Sequence, residues 1–363
     1  MKLTPARKKI FETITQAIGV MGDEKEVAQI LKSYYEGYCD EIIYDNLGSI
    51  YAVKKSKIKD APKVMVAAHM DEVGFKVGEI LKDGTLKFSE TSSGIWEQTV
   101  MSQRITILTK DGKKIKGVVD AIPPHTLTPE LRLKPMKTKN MIVDIGCKSR
   151  KEVEDLGVNI FDSIVIDGPF VELNDGSRLL SKAFDNRYGC ILGVEVLKAL
   201  KNVELPCDLY IGADVQEEAG LRGAITATNM IKPDFAIVLD CSPATDMGDN
   251  KEGFGYLGGG VLNRFVDGAM IAFPELLKWQ RKMCDKNKVK YQYFLSLGGT
   301  DAGAIHRSLD GVLTLTHCIC ARNIHTSGSI IDLNDYEGAK KVLISMLKNL
   351  DSKLITKFKN ERR

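Results

Sequence analysis

Apolar residues along this chain alternate between two rhythms, one helical and one extended. Thr4 as a cap and Pro5 at the first helical position start a helix through ARKKIFETITQAIG that stops near Gly19. Asp23 and Glu26 form a capping pair for a second helix, in which Val27, Ile30, Leu31, Tyr34 and Tyr38 keep helical spacing. EIIYDNLGSIYAVK then reads as two strands about an Asp-Asn-Leu-Gly turn. The unbroken apolar run KVMVAAH predicts a strand buried on both faces.

From about Phe75 to Ile166 the texture changes to short alternating runs, TLKFSE, RITILT, KIKGVV, MIVDIG and SIVIDG, separated by glycine-bearing turns. This pattern predicts a small β-rich unit over 75–167, with one short helix capped by Ser149 and Glu152 and ended at Gly157. Pro123 to Asn140 reads as a long exposed loop within it. After Gly168, helix and strand alternate again: a helix NRYGCILGVEVLKAL, strands CDLYIGADV and FAIVLD, a helix from Pro274, a strand VLTLTHCI and a terminal amphipathic helix from Asp335. The whole predicts a mixed α/β fold. A largely parallel sheet flanked by helices, built from 1–74 and 168–363, is interrupted by the β-rich insert.

Composition narrows the functional classes. The 51 Lys+Arg and 48 Asp+Glu nearly cancel, and the only basic block is the tail Lys357 to Arg363, so nothing points to nucleic acid. The eight cysteines include no C-x-x-C pair; Cys318 and Cys320 share one face of a strand, which fits a reducing compartment. The charged start MKLTPARKKIFETITQ is no secretion signal, and no segment reaches the ~18 apolar residues of a membrane span. These features predict a cytoplasmic protein.

Five stretches place imidazole or carboxylate groups where an α/β sheet ends its strands, the position at which such folds build sites. They are His69 and Asp71 after VMVAA, Asp185 in SKAFDNRYG, Glu217 and Glu218 after LYIGADVQ, Asp240 after FAIVL, and His325 in ARNIHTSGS. Taken singly, a histidine at a strand end is a satisfied polar residue and an acidic pair is a solvated turn. Together they make the donor set of a pair of divalent cations, since imidazole nitrogen with carboxylate oxygen suits Zn, Co or a similar first-row ion. Such a pair needs one unligated carboxylate as general base, and neighbouring glutamates can divide the tasks of ligand and base. Asp71, two residues from His69, is placed to hold the second imidazole nitrogen. His125, His306 and His317 read as structural. The glycine-rich stretches GFGYLGGG and LGGTDAGA, with Gly298, Gly299, Thr300 and Asp301, read either as ordinary loops or as the lining of a substrate cleft, where small residues allow close approach.

With these residues laid out, the sequence resembles the tetrahedral, dinuclear metalloaminopeptidases, the family that includes glutamyl aminopeptidases and was once mislabelled as endoglucanases. The motifs run in order through nearly the whole chain: AHMDEVG at 68–74, KAFDNRYG at 182–189, EEAGLRGA at 217–224, IVLD at 237–240, GGTDAGAIH at 298–306 and IHTSGSIID at 324–332. The resemblance implies that Asp185 bridges two divalent ions, Zn or Co. His69 and Asp240 would complete one site, Glu218 and His325 the other. Glu217 would be the general base, with Asp71 behind His69. It also implies a PDZ-like insert, dimers that assemble into a hollow tetrahedral dodecamer, short peptide substrates and a cis peptide bond between Asp185 and Asn186. Asn186, where many members carry a second aspartate, Ala219 in place of a common valine, and HTSGS are departures that remove no ligand.

Other readings remain at this point. A deacylase or carboxypeptidase could use the same metal core, but Asp71 and Asp185 lie 114 residues apart and Asp240 and His325 only 85, which puts the insert where the aminopeptidases carry it. A catalytically silent assembly protein would have no need of an intact ligand set. A glycoside hydrolase built on Glu217 and Glu218 needs carboxyl groups about 5 Å or more apart across a sugar and leaves both histidines unexplained.

Overall fold

The computed structural model describes residues 2–90, 94–248 and 254–362. Its central sheet has six strands in the order Glu41–Tyr44, Ile50–Lys54, Asp208–Asp214, Lys63–His69, Phe235–Val238 and Leu313–Thr316. The last four are parallel, and the first two are antiparallel additions at one edge. Lys63–His69 lies inside the parallel set with both faces covered, which is why KVMVAAH shows no polar alternation before its last residue. The register sets Asp214 beside His69 and Val238 beside Ala67, so three strands finish at one edge of the sheet.

The helix Phe184–Ala199 packs on Lys63–His69 and against the helices Pro5–Gln16 and Leu333–Leu347. Gly189 permits that approach, because a Cβ there would sit 2.8 Å from the Cβ of Ala68. A second sheet runs Val171–Leu173, Arg178–Ser181, Ser329–Asp332, Ile319–Arg322 and Cys241–Pro243. VLTLTHCI, expected as one strand, is thus two. Leu313–Thr316 pairs with Phe235–Val238 in the first sheet, and Ile319–Arg322 pairs with Cys241–Pro243 in the second. Both chain segments change sheets together, held by His317 N–H donating to Val238 O at 2.7 Å and Ile319 N–H to Asp240 O at 3.3 Å. Residue alternation continues through such a crossing, so the period could not reveal it. Asp240 stands at the bend.

Between Phe75 and Ile166, six strands close into a barrel in the order Phe75–Ile80, Leu86–Glu90, Val143–Asp144, Lys114–Val119, Arg104–Leu108 and Ser163–Ile166. Closure leaves the small sheet without open edges, and Phe75, Val77, Phe88, Ile107 and Val143 fill a core of its own. The short helix Arg150–Asp155 carries the expected Ser149 cap, whose hydroxyl accepts from Glu152 N–H. Pro123 to Asn140 contains two single-turn 3-10 helices, Pro124–Thr126 and Thr138–Asn140, and the four-residue helix Pro129–Arg132, with Leu133 85% exposed.

Asp23 and Glu26 do not cap the second helix, Lys25–Tyr35, whose cap position is Glu24 without a side-chain bond. Both face the barrel instead. Ser163 Oγ donates to Asp23 at 2.6 Å, and Lys114 pairs with Glu26 at 2.8 Å. The terminal helix expected from Asp335 is two helices: Leu333–Leu347, which starts two residues earlier because Asp332 supplies the cap, and Ser352–Glu361, which buries Ile355 and Phe358. Gly253, which opens GFGYLGGG, and Arg363 at the end of the basic tail lie outside the described residues. Among the described residues all eight cysteines are free, and no helix is long and apolar enough to cross a membrane.

Candidate metal centre

The strand edge identified above gathers the chemistry. His69 ends its strand, and Glu217 and Glu218 follow Asp208–Asp214. Asp240 stands at the bend between the two sheets, and Asp185 lies in the first turn of Phe184–Ala199, where its backbone and that of Asn186 depart from the helix. The peptide bond between Asp185 and Asn186 is cis. Asn186 ties this turn down: its side-chain amide donates to Leu239 O at 2.7 Å and its oxygen accepts from Gly189 N–H at 3.3 Å.

Asp185 lies between the two imidazoles. Its Oδ1 is 3.1 Å from His69 Nε2, and its Oδ2 is 3.3 Å from His325 Nε2. His325 Nε2 also lies 3.3 Å from Glu218 Oε1, while His69 Nε2 is 3.8 Å from Asp240 Oδ1 and 4.0 Å from Glu217 Oε2. Three sets of donor atoms each converge within 4.8 Å: His69, Asp185 and Asp240; Asp185, Glu218 and His325; and His69, Glu217 and Glu218.

Behind them Asp71 is fully buried and does more than face a histidine. Its two oxygens accept the backbone N–H groups of Glu217 and Glu218, each at 3.0 Å, so one carboxylate fixes both glutamates. Its carbonyl lies 3.2 Å and its carboxylate 3.6 Å from His69 Nδ1. A carbonyl only accepts, so Nδ1 carries a hydrogen there, and Nε2 is the nitrogen that faces Asp185 and is available to a metal ion.

The electrostatics fit a cation pair. Burial alone would lower the pKa of His69, but Glu217, Asp185 and Asp71 around it raise it well above the ordinary imidazole value. The same balance takes His325 up to about 11 through Asp185 and Glu218. Burial, reinforced by neighbouring carboxylates, pushes Asp240 up to about 8 and Glu217 well above a normal glutamate. Asp185 goes the other way: burial would raise it, but hydrogen bonds from His325 and His69 hold it well below the carboxylate range. Five carboxylates crowd two imidazoles, an anionic excess that divalent cations with N/O preference would relieve.

The site opens into a cavity of about 560 Å³. Gly298 and Gly299 border it, whereas Thr300 and Asp301 are buried and do not line it. Among the described residues neither Asp301 oxygen has a hydrogen-bond partner. The same wall includes Arg264, which the sequence reading did not single out. Its Nε donates to Asp267 at 3.1 Å, Nη1 to Ser242 Oγ at 3.0 Å and Nη2 to Gly298 O at 2.7 Å. Arg187 was also missed; fully buried, it donates to the carbonyls of Met70, Ile14 and Ala17 and fixes the chain leaving His69. An arginine inside an apolar helix run was the available signal for it.

The M42 glutamyl aminopeptidase family profile matches residues 48–342, most of the chain. The protein belongs to the M42 family. This M42 peptidase is 38% identical over 358 residues to the glutamyl aminopeptidase of Lactococcus lactis subsp. cremoris, with 96% of this chain and 98% of that one covered. The crystal structure of a TET aminopeptidase from a marine sediment thaumarchaeote superposes with a TM-score of 0.93 at 34% identity, covering 98% of this chain and 100% of that one. The TET1 peptidase of Pyrococcus horikoshii, which can assemble into a tetrahedron or a large octahedral shell, gives a TM-score of 0.84 at 26% identity, covering 95% and 100%. The M42 peptidase is therefore a divalent-metal-dependent aminopeptidase on the mixed α/β fold of these relatives.

Proposed function

We propose that this M42 peptidase removes N-terminal residues, acidic ones first, from short peptides, with two divalent ions, Zn or Co, per subunit. His69, Asp240 and Asp185 would hold one ion, and Glu218, His325 and Asp185 the other. The single observation that carries this reading is Asp185, whose two carboxylate oxygens each face a different imidazole. Bound ions would polarise the scissile carbonyl and make water acidic enough to attack near neutral pH. Glu217, whose carboxylate lies 4.0 Å from His69 Nε2, would take the proton of that water and return it to the leaving amine. Asp71 holds Glu217 and Glu218 in place through their N–H groups.

The acidic preference rests on Arg264. Arg264 lies in the cavity wall with three of its five N–H bonds spent on Asp267, Ser242 and Gly298, which leaves it two for a carboxylate side chain that reaches it. The barrel over 75–167 is proposed as the dimerisation domain, with dimers building a tetrahedral dodecamer in the cytoplasm. Exposed Phe161 and Leu133 on it, and the tetrahedral particle of the Pyrococcus horikoshii relative, support that reading.

The test assays a panel of aminoacyl chromogenic substrates before and after chelation, then with Zn or Co restored. Activity should vanish and return, and glutamyl and aspartyl substrates should lead. Full activity in metal-free protein would sink the mechanism. Glu217→Gln should abolish turnover while both ions stay bound; loss of an ion instead would mean that the roles of Glu217 and Glu218 are exchanged.

A further inference from the structure

We propose that the inserted barrel helps build one half of the metal centre: the main-chain carbonyl of Gly94 is the positioning group for His325, and the seating of the barrel bears more on the affinity of that half than on the other. The inference rests on the two-ion reading above. Gly94 belongs to the insert and is separated from His325 by 231 residues, yet its carbonyl oxygen lies 3.1 Å from His325 Nδ1. A carbonyl accepts only, so Nδ1 carries a hydrogen there and Nε2 is the nitrogen turned to the space between Asp185 and Glu218.

The two histidines differ in what fixes them. His69 is 2% exposed and takes its orientation from Asp71, in its own segment. Asp240, its companion, is held by Cys241 N–H at 2.7 Å, also local. His325 is 24% exposed and sits on a connection where its own φ is +60°. Its Nε2 has Asp185 and Glu218 for partners, and the Gly94 carbonyl is what its Nδ1 meets. The fit is close. Gly94 has φ +95°, and a Cβ on it would stand 2.6 Å from Nδ1 and 2.8 Å from Cε1, so a side chain there displaces the ring.

A second contact reaches the other ligand of the same half. Ile18, Val20 and Met21 form an apolar seam with Val165 of the barrel, and Leu108 of the barrel and Ala219, the residue after Glu218, pack on it. Barrel atoms therefore bear on His325 directly and on Glu218 through its neighbour. His69 and Asp240 are held from within the catalytic part. A shift of the barrel therefore bears first on His325 and Glu218, the two ligands that belong to this half, and less on His69 and Asp240; Asp185 is common to both halves.

The experiment titrates full-length metal-free protein with Zn, and separately Co, by calorimetry, with ions per chain counted by native mass spectrometry. Wild type should take up two ions. Gly94→Ala should weaken one of them about 10- to 100-fold, the usual effect of losing a group that orients a ligand, and the other far less. Because Gly94→Ala also strains its own loop, Val165→Ala provides a second perturbation that touches neither a ligand nor Gly94; it should weaken the same ion. Two ions bound at wild-type affinity in both variants, or both ions weakened alike, would overturn the inference. A wild-type protein that binds one ion overturns the two-ion reading itself, and this inference with it.

Discussion

Asp71→Asn changes one atom in a carboxylate whose two oxygens are both in use. Glu217 N–H and Glu218 N–H each donate to one oxygen at 3.0 Å, in a residue with no exposed surface. The asparagine keeps one oxygen and turns an NH2 toward the other donor. One charge-assisted bond, worth about 1.5–3 kcal/mol, is lost, and a buried N–H without a partner costs about 1–3 kcal/mol. The turn that bears both glutamates relaxes to escape this, at a net cost on the order of 3 kcal/mol to the productive geometry. At about 1.4 kcal/mol per factor of ten, turnover should fall on the order of a hundredfold. The assay follows kcat and KM on a glutamyl anilide with the metal content of the same preparation, at limiting and saturating Zn. Saturating metal should restore occupancy without restoring kcat, because Glu217 is misplaced as well as Glu218. Turnover within about threefold of wild type at full occupancy would refute the clamp.

Arg264→Gln should lower kcat/KM for glutamyl anilides about tenfold or more relative to leucyl ones, since one charged hydrogen bond to the substrate is worth about 1.5–3 kcal/mol; an unchanged ratio would remove Arg264 from specificity. His317 gives a pH test away from the metal centre. Burial lowers its pKa from 6.5 to about 4, and its neutral ring donates to Ala339 O at 2.8 Å. Above pH 6.5 it is neutral folded and unfolded, and its contribution is complete; as pH falls toward 4 only the unfolded chain binds the proton, and about 3 kcal/mol of stability is lost. Urea unfolding of chelated protein at several pH values should show wild type losing about 3 kcal/mol more than His317→Gln between pH 6.5 and 4; equal losses would refute the assignment.

The candidate donors were legible because strands with both faces buried need apolar residues. Polar groups at their ends therefore stand out, as His69 does after VMVAA and Asp240 after FAIVL. The barrel was legible for the same reason in reverse, as a change from long runs to short alternation. The division of VLTLTHCI between two sheets was not, since side chains alternate identically on either side of His317. Asp23 and Glu26 match a capping pair in residue type and spacing, and only the barrel standing opposite them shows that their charges go to Ser163 and Lys114.

By itself the sequence determined which residues carry the chemistry and in what order they occur, because imidazole and carboxylate at the ends of buried strands are costly without a task. Tertiary structure alone decided how they are held. Asp71 serves two glutamates more than a hundred residues away, Arg264 reaches the cavity wall, and a glycine carbonyl from the insert meets His325. Every residue but proline offers the same backbone N–H and every residue the same C=O, so contacts made by the main chain leave no mark in residue identity. They exist only once the chain has brought distant segments together.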